Sequence, residues 1–343
     1  MKLIRTEEAV GSILCHDITQ IIPGVTKDAV FRKGHIVKEE DIPILLSVGK
    51  EHLYVWENQA GMLHENDAAE ILRQVCQGPG MEASEAKEGK IELKAQQDGL
   101  LKLDCRKLNQ MNALGQIVIA SRHGDFPVKK GDKITGMRVV PLVIEEEKMN
   151  RIKEIGGQEP VFSILPFSRL KAGIVTTGSE VYHHRIKDTF TPVVMEKLKE
   201  YDMEILGNTL CDDDPEMVTD AVKEFLNQGA GLVLCTGGMS VDPDDRTPLA
   251  IRNAADEVIT YGAPVLPGAM FMLAYANHVP VMGLPGCVMY AKRTIFDLVL
   301  PRIAAGERLQ EKDFTVLGEG GLCLSCPECT FPNCGFGKGG SIS

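Results

Sequence analysis

From residue 172 onward short apolar runs alternate with amphipathic segments, and that alternation leaves the chain few architectures to fold into. Runs at 172–176, 203–210, 231–235, 257–260 and 279–283 read as buried strands. Between them, apolar residues recur at helical spacing over 192–201, 215–228, 248–255 and 288–303. Three of these helices share a start signal, Thr191-Pro192, Asp214-Pro215 and Thr247-Pro248, with a side-chain oxygen at the N-cap and proline at the first helical position. The pattern predicts an α/β domain of three layers, a mostly parallel sheet with helices on both faces. Ligands bind such sheets beyond the carboxyl ends of the strands, so the loops after the strands are expected to form one site.

The first half of the chain is less regular and reads as a mixed, β-rich accessory region. β-Rich runs fall at 18–25 and 51–56 and a helical pattern near 39–48. A helix is expected over 65–77, where Ala68, Ala69, Leu72, Val75 and Cys76 share a face, and Gly78-Pro79-Gly80 stops it. The charged stretch 81–90 reads as a linker. Strands follow at 91–93, 100–103, 117–120 and 138–144. The expected domains are a mixed α/β region over 1–78, a β-rich region over 79–165, the α/β domain over 166–307 and a cysteine-rich tail over 308–343.

Composition excludes some classes of function. A net charge of −11, with one Trp and six Tyr among 343 residues, leaves little for stacking bases, so nucleic acid is not an expected partner. The first eight residues lack the apolar core of a signal peptide. No run reaches the roughly 18 apolar residues of a membrane helix; the richest, 270–289, is interrupted by His278, Pro280 and Pro285. A cytoplasmic location without membrane contact is expected.

The loops after the strands hold hydroxyls, glycines and carboxylates. They are Thr176-Thr177-Gly178-Ser179-Glu180, Cys211-Asp212-Asp213-Asp214, Gly237-Gly238-Met239-Ser240 running on to Asp245, and Leu284-Pro285-Gly286. Glycines allow backbone amides close to an anion, and carboxylates can hold a divalent cation against it. Each loop taken alone also reads as a plain turn, with Asp214 a plain helix cap.

These four motifs, in this order, resemble the molybdopterin-binding domain shared by the molybdopterin molybdenumtransferases (MoeA/gephyrin family) and the MogA-type adenylyltransferases. The molybdenumtransferase pattern Gly-Gly-x-Ser-x-Gly-x-x-Asp-x-Thr aligns without gaps onto residues 237–247. The resemblance implies binding of adenylylated molybdopterin, insertion of molybdate with release of AMP, and Mg²⁺ as the assisting cation. It assigns catalytic carboxylates at Glu180, Asp213 and Asp245. Ligand contacts fall at Thr177, Gly178, Ser179, Asp214, Gly237, Gly238, Met239, Ser240, Pro285 and Gly286. It also implies a homodimer and a molybdoenzyme that accepts the product. Alternatives are an adenylyltransferase, a related nucleotide pyrophosphatase, or a carrier or sensor of molybdopterin that does no chemistry.

The departures are specific. Asp242, followed by Pro243, stands where the molybdenumtransferases have glycine, and their Lys-Pro-Gly-Lys segment is Leu266-Pro267-Gly268-Ala269 here, without either lysine. Lys292 and Arg293 are either replacements for those cations or a solvated helix face.

Six of the ten cysteines are scattered and read mostly as small core residues, whereas Cys323, Cys326, Cys329 and Cys334 crowd among Pro327, Pro332, Gly335 and Gly337. Four thiolates at such spacing suit one metal centre, zinc or an iron–sulfur cluster. His183-His184 reads as a solvated loop pair.

Overall fold

Along the strands of the α/β region, alternate residues pack into two different cores, and this alternation places helices on both sides of a sheet. In the computed structural model, which describes residues 2–22, 26–55, 60–240 and 245–339, the chain divides into two units. One comprises Met1–Lys94, Asp104–Arg122 and Lys133–Phe162; the other comprises Ala95–Leu103, His123–Asp132 and Ser163–Ser343. Trp56 and Asp242-Pro243 lie outside the described residues.

The second unit carries a six-stranded sheet. Its strands are β1 (Lys171–Thr177), β2 (Glu204–Cys211), β3 (Leu232–Thr236), β4 (Glu257–Tyr261), β5 (Met272–Ala276) and β6 (Val279–Leu284), in the spatial order β2-β1-β3-β6-β5-β4. β2, β1, β3 and β6 are parallel, and β5 runs antiparallel to both its neighbours. Helices α1 (Ser179–Tyr182), α2 (Phe190–Lys199), α3 (Pro215–Asn227), α4 (Thr247–Ala254) and α5 (Ile295–Ala304) complete the expected three layers. On one face Ile174, Leu232, Leu234 and Met282 meet Val194 and Leu198 of α2 and Phe296 and Val299 of α5. On the other, Val175, Val233, Cys235 and Val281 meet Val222 and Phe225 of α3 and Ile251 of α4. Each fully buried aliphatic or aromatic side chain contributes roughly 1.5–3 kcal/mol, so these two cores dominate the unit's stability.

Three expectations need correction. Strand β5 was absent from the reading of 270–289, because two strands joined by a tight turn look like one apolar run. The structure resolves them as a hairpin, with Asn277 (φ 49°) and His278 (φ 71°) in the left-handed conformations of a two-residue turn. Of the three proposed caps only Asp214 acts as one, accepting the Glu216 amide at 2.9 Å. Helix α2 starts earlier, where Asp188 Oδ1 accepts the Phe190 and Thr191 amides, and α4 starts at Thr247 itself, so Thr191 and Thr247 sit in the first turns with their hydroxyls turned elsewhere. Finally, the helical pattern over 288–303 is a 3₁₀ turn, Gly286–Met289, followed by α5, whose start Thr294 and Asp297 cap reciprocally.

In the first unit, helix Glu65–Cys76 buries Ala68, Ala69, Leu72 and Cys76 as expected. The stretch 81–90 is not simply a linker: Met81, 4% exposed, anchors strand Met81–Ala83 at the edge of a four-stranded sheet with Lys90–Ala95, Lys133–Val139 and Ile117–Ser121. The run 138–144 splits into Lys133–Val139 and Val143–Glu145 around Pro141, which has no amide to donate to a ladder. Leu14, Ile18, Phe31, Leu45 and Leu53 form a smaller core. No helix among the described residues is long and apolar enough to cross a membrane.

Candidate functional site

Register brings the loop motifs to one edge. In the parallel ladders Thr177 lies opposite Cys211, Thr176 opposite Thr236, and Thr236 opposite Leu284, so the four strands end level and their following loops emerge together. The threonines at these ends tie the loops down. Thr176 Oγ1 lies 2.8 Å from Thr191 Oγ1 and 3.0 Å from Asn208 Oδ1, joining β1, α2 and β2. Thr177 Oγ1 lies 3.3 Å from Thr247 Oγ1, joining β1 to α4. Motif matching did not single out Thr176, Thr191 and Asn208 for this role, since only strand pairing brings them together.

Gly237 (φ 86°) and Gly238 (φ 56°) make the turn after β3. A Cβ on Gly237 would stand 2.4 Å from the Thr177 carbonyl oxygen, and one on Gly238 would stand 2.6 Å from Thr247 Oγ1. Both glycines are therefore required by backbone conformation and by close packing. Gly178 (φ 134°) also adopts a conformation that side chains rarely allow. At Gly286, by contrast, a Cβ would meet nothing. Met239 turns its side chain into the core against Gly283 and Ile251 and offers the site only its backbone, where its carbonyl accepts from Tyr261 Oη at 3.2 Å. Pro285 is buried, and Ser240 is exposed.

The acidic residues occupy three loops. Asp213 Oδ2 accepts the Ser179 amide at 2.9 Å, and Asp245 Oδ2 accepts the Ser240 amide at 2.9 Å. Glu180 is exposed beside them. Burial, opposed by the Ser179 amide and reinforced by the charges of Asp212, Glu180 and Asp245, holds the Asp213 carboxyl above its ordinary range. Glu180, Asp213 and Asp245 thus share one electrostatic environment. Among the described residues, no three His, Cys, Asp or Glu side chains form a ready-made metal cage. The donor set is nevertheless oxygen-only and mutually repelling, which suits a hard cation brought in with phosphate ligands. Thr236 Oγ1, fully buried just before Gly237, has no hydrogen-bond partner among the described residues.

Lys292 and Arg293 are committed elsewhere. Lys292 Nζ donates to the Pro327 carbonyl at 2.9 Å; Arg293 pairs with Asp297 at 2.8 Å and stacks over Phe331 at 5.0 Å. His183 and His184 are exposed, as expected of a solvated loop pair, and His183 Nε2 lies 3.2 Å from Asp212 Oδ2.

The tail containing the last four cysteines is held against the second unit by Phe336, which is buried, and by Cys323, whose amide donates to the Leu266 carbonyl at 2.8 Å. Cys323 and Cys334 are partly buried against that core, while Cys326 and Cys329 are exposed. Elsewhere Cys15, Cys76, Cys211 and Cys235 are buried, as core cysteines should be; desolvation pushes the Cys76 and Cys235 thiols up to about 12.

Known proteins resemble parts of the chain. Residues 173–305 match a family model described as a probable molybdopterin binding domain, and residues 3–57 match one described only as a domain of unknown function. A molybdopterin molybdenumtransferase of Synechococcus elongatus is 28% identical over 176 residues, 48% of this chain and 40% of that protein. A CinA-like protein of Mycobacterium avium is 34% identical over 95 residues, 28% of this chain and 22% of that protein. The chain therefore spans less than half the length of either relative. Among solved structures, the molybdopterin biosynthesis enzyme MoaB of Thermus thermophilus superposes with a TM-score of 0.35 at 21% identity, covering 40% of this chain and 98% of that one. The loops after β1, β2, β3 and β6 thus lie within the stretch that matches a probable molybdopterin-binding domain.

Proposed function

We propose that this site binds adenylylated molybdopterin and exchanges its AMP for molybdate, as a molybdopterin molybdenumtransferase does. The observation that carries the reading is the convergence of Glu180, Asp213 and Asp245 from three loops beside the Gly237-Gly238 turn. Cleaving a phosphoanhydride requires its phosphates to be neutralised and an attacking oxygen to be positioned. Glu180, Asp213 and Asp245 would hold Mg²⁺, which supplies that neutralisation when bound. The Gly237-Gly238 backbone orients the phosphate. The Ser179 amide on Asp213 Oδ2 leaves the other carboxylate oxygen of Asp213 for that cation. Thr177, Gly178, Ser179 and Ser240 line the approach, and Asp214 serves it by starting α3. A homodimer, a molybdoenzyme acceptor and a cytoplasmic setting belong to the same proposal.

Asp245→Asn keeps an oxygen for the Ser240 amide while removing the charge. It should abolish AMP release while leaving pterin binding measurable. Molybdate-dependent AMP release by the wild type, followed by chromatography of the nucleotide, is the deciding assay. AMP release without any molybdate requirement would indicate a nucleotide pyrophosphatase.

One observation favours a second reading, a carrier or sensor that does no chemistry. The segment aligned with the molybdenumtransferase lysines has none, and Leu266 within it bonds through its amide to the Gly321 carbonyl and through its carbonyl to the Cys323 amide. No AMP release at all, with pterin binding retained, would establish that reading. The cysteine spacing supports a further proposal, that Cys323, Cys326, Cys329 and Cys334 close around zinc or an iron–sulfur cluster. Anaerobically purified protein should then contain stoichiometric zinc, or iron with visible absorbance, and Cys326→Ser should lose it; metal-free wild type would end that proposal.

A further inference from the structure

The first unit contains a pocket that the loop chemistry does not use. It measures about 230 Å³ and lies where helix Glu65–Cys76 begins, against His16, Asp17, Arg32 and Lys33 and the turn around Glu88. That is below the roughly 300 Å³ at which sites for drug-sized molecules begin, so its occupant is small.

Two polar groups in it lack partners. Glu65 is 6% exposed, and among the described residues its carboxyl makes no hydrogen bond or ion pair. Its Oε2 lies against Gly89, only 3.1 Å from where a Cβ would stand. The nearby cations leave it unpaired: Lys33 Nζ lies 3.1 Å from His64 Nδ1, and Arg138 acts on Glu65 through its field alone. The second group is His16 Nδ1, enclosed by protein and without a partner among the described residues. His64, in contrast, is engaged, with Nε2 on the Cys15 carbonyl at 2.7 Å and Nδ1 accepting the Asn66 amide at 3.1 Å.

An unpartnered buried carboxylate is costly, and the arrangement that satisfies both its oxygens is a pair of parallel N–H donors. Apart from Glu65, the lining carries Arg32, Lys33 and Lys87 against Asp17, Glu85 and Glu88, three charges of each sign, so the ionised Glu65 sets its net charge. We propose that this pocket is a binding site for a small molecule bearing an amidine-like N–H pair, such as the edge of a 2-aminopyrimidin-4-one, with Glu65 accepting both N–H bonds. The site is independent of the molybdopterin reading.

Burial, partly offset by Arg138 and Lys33 and reinforced by Glu88 and Asp17, raises the Glu65 carboxyl to about 7. Below that value the free protein holds a proton that a donor pair must expel, so binding should release a proton and tighten as pH rises. For a carboxyl at about 7, the ionised fraction, and with it the affinity, should increase about tenfold from pH 6 to pH 8.

Calorimetry of the full chain with isocytosine, which carries the 2-amino group, and with pyrimidin-4-one, which lacks it, tests the proposal. Isocytosine should bind, at least tenfold tighter than pyrimidin-4-one, with the stated pH dependence and with heats that vary with the buffer's ionisation enthalpy. Glu65→Gln, confirmed folded by its melting temperature, should lose at least tenfold in affinity. Absence of binding at millimolar isocytosine, equal affinity for the two rings, or unchanged binding by Glu65→Gln would each overturn it. Should the variant fail to fold, the two-ring comparison and the pH series on wild type decide alone.

Discussion

Asp297→Leu should destabilise the second unit by about 3–5 kcal/mol, because it leaves buried cations without their counter-charge. Asp297 is 5% exposed and accepts four donors: Lys197 Nζ at 2.5 Å, Arg293 Nη1 at 2.8 Å, the Thr294 amide at 2.7 Å and the Thr294 hydroxyl at 3.4 Å. Lys197 is itself only 8% exposed, so it cannot recover full hydration when its partner is lost. The Thr294 bond is one half of the reciprocal cap of α5, and its loss adds about 1 kcal/mol at the helix start. For a unit of this size, 1 kcal/mol moves the melting temperature by about 2–4 °C, so a drop of about 10 °C or more is expected in a thermal melt. The double variant Lys197→Met, Asp297→Leu should recover part of the loss, since replacing both charges removes an unpaired ion rather than creating one. If the single and double variants melted together, the cost would lie in packing or in Arg293 rather than in the unpaired Lys197.

Gly237→Val should be nearly as damaging and should remove ligand binding as well. The position has φ 86°, and an added Cβ would lie 2.4 Å from the Thr177 carbonyl oxygen, which is backbone at the end of a central strand. A β-branched residue there combines left-handed strain with a backbone overlap that no rotamer relieves, together worth about 3 kcal/mol or more. Whatever relaxation occurs must shift the turn that holds Ser240 against Asp245. Binding of molybdopterin should therefore fall below detection in a preparation whose folding is confirmed by circular dichroism. Gly286→Ala, where a Cβ meets no protein atom, is the stability control and should melt as wild type.

The contrast between these two glycines marks how far motif reading reaches. Both stand in motifs of one family, and both carried the same expectation of close approach. Only the fold shows that one faces a carbonyl and the other open space. Met239 teaches the same point, since its position in the loop suggested a ligand contact and its side chain is a core residue behind Gly283.

Strand and helix alternation after residue 172, the Asp214 cap and the loop order were all legible because periodicity and capping act between residues within about one helical turn of each other. The hairpin of β5 and β6, the threonine contacts of Thr176 with Thr191 and Asn208, and the membership of Ala95–Leu103 and His123–Asp132 in the unit of Ser163–Ser343 were not. Strand pairing is non-local, and its energy depends on partners that the local pattern does not name. The raised carboxyls of Glu65 and Asp213 have the same origin. Burial sets them, and burial exists only once segments as distant as residues 16 and 65, or 180, 213 and 245, have been folded together.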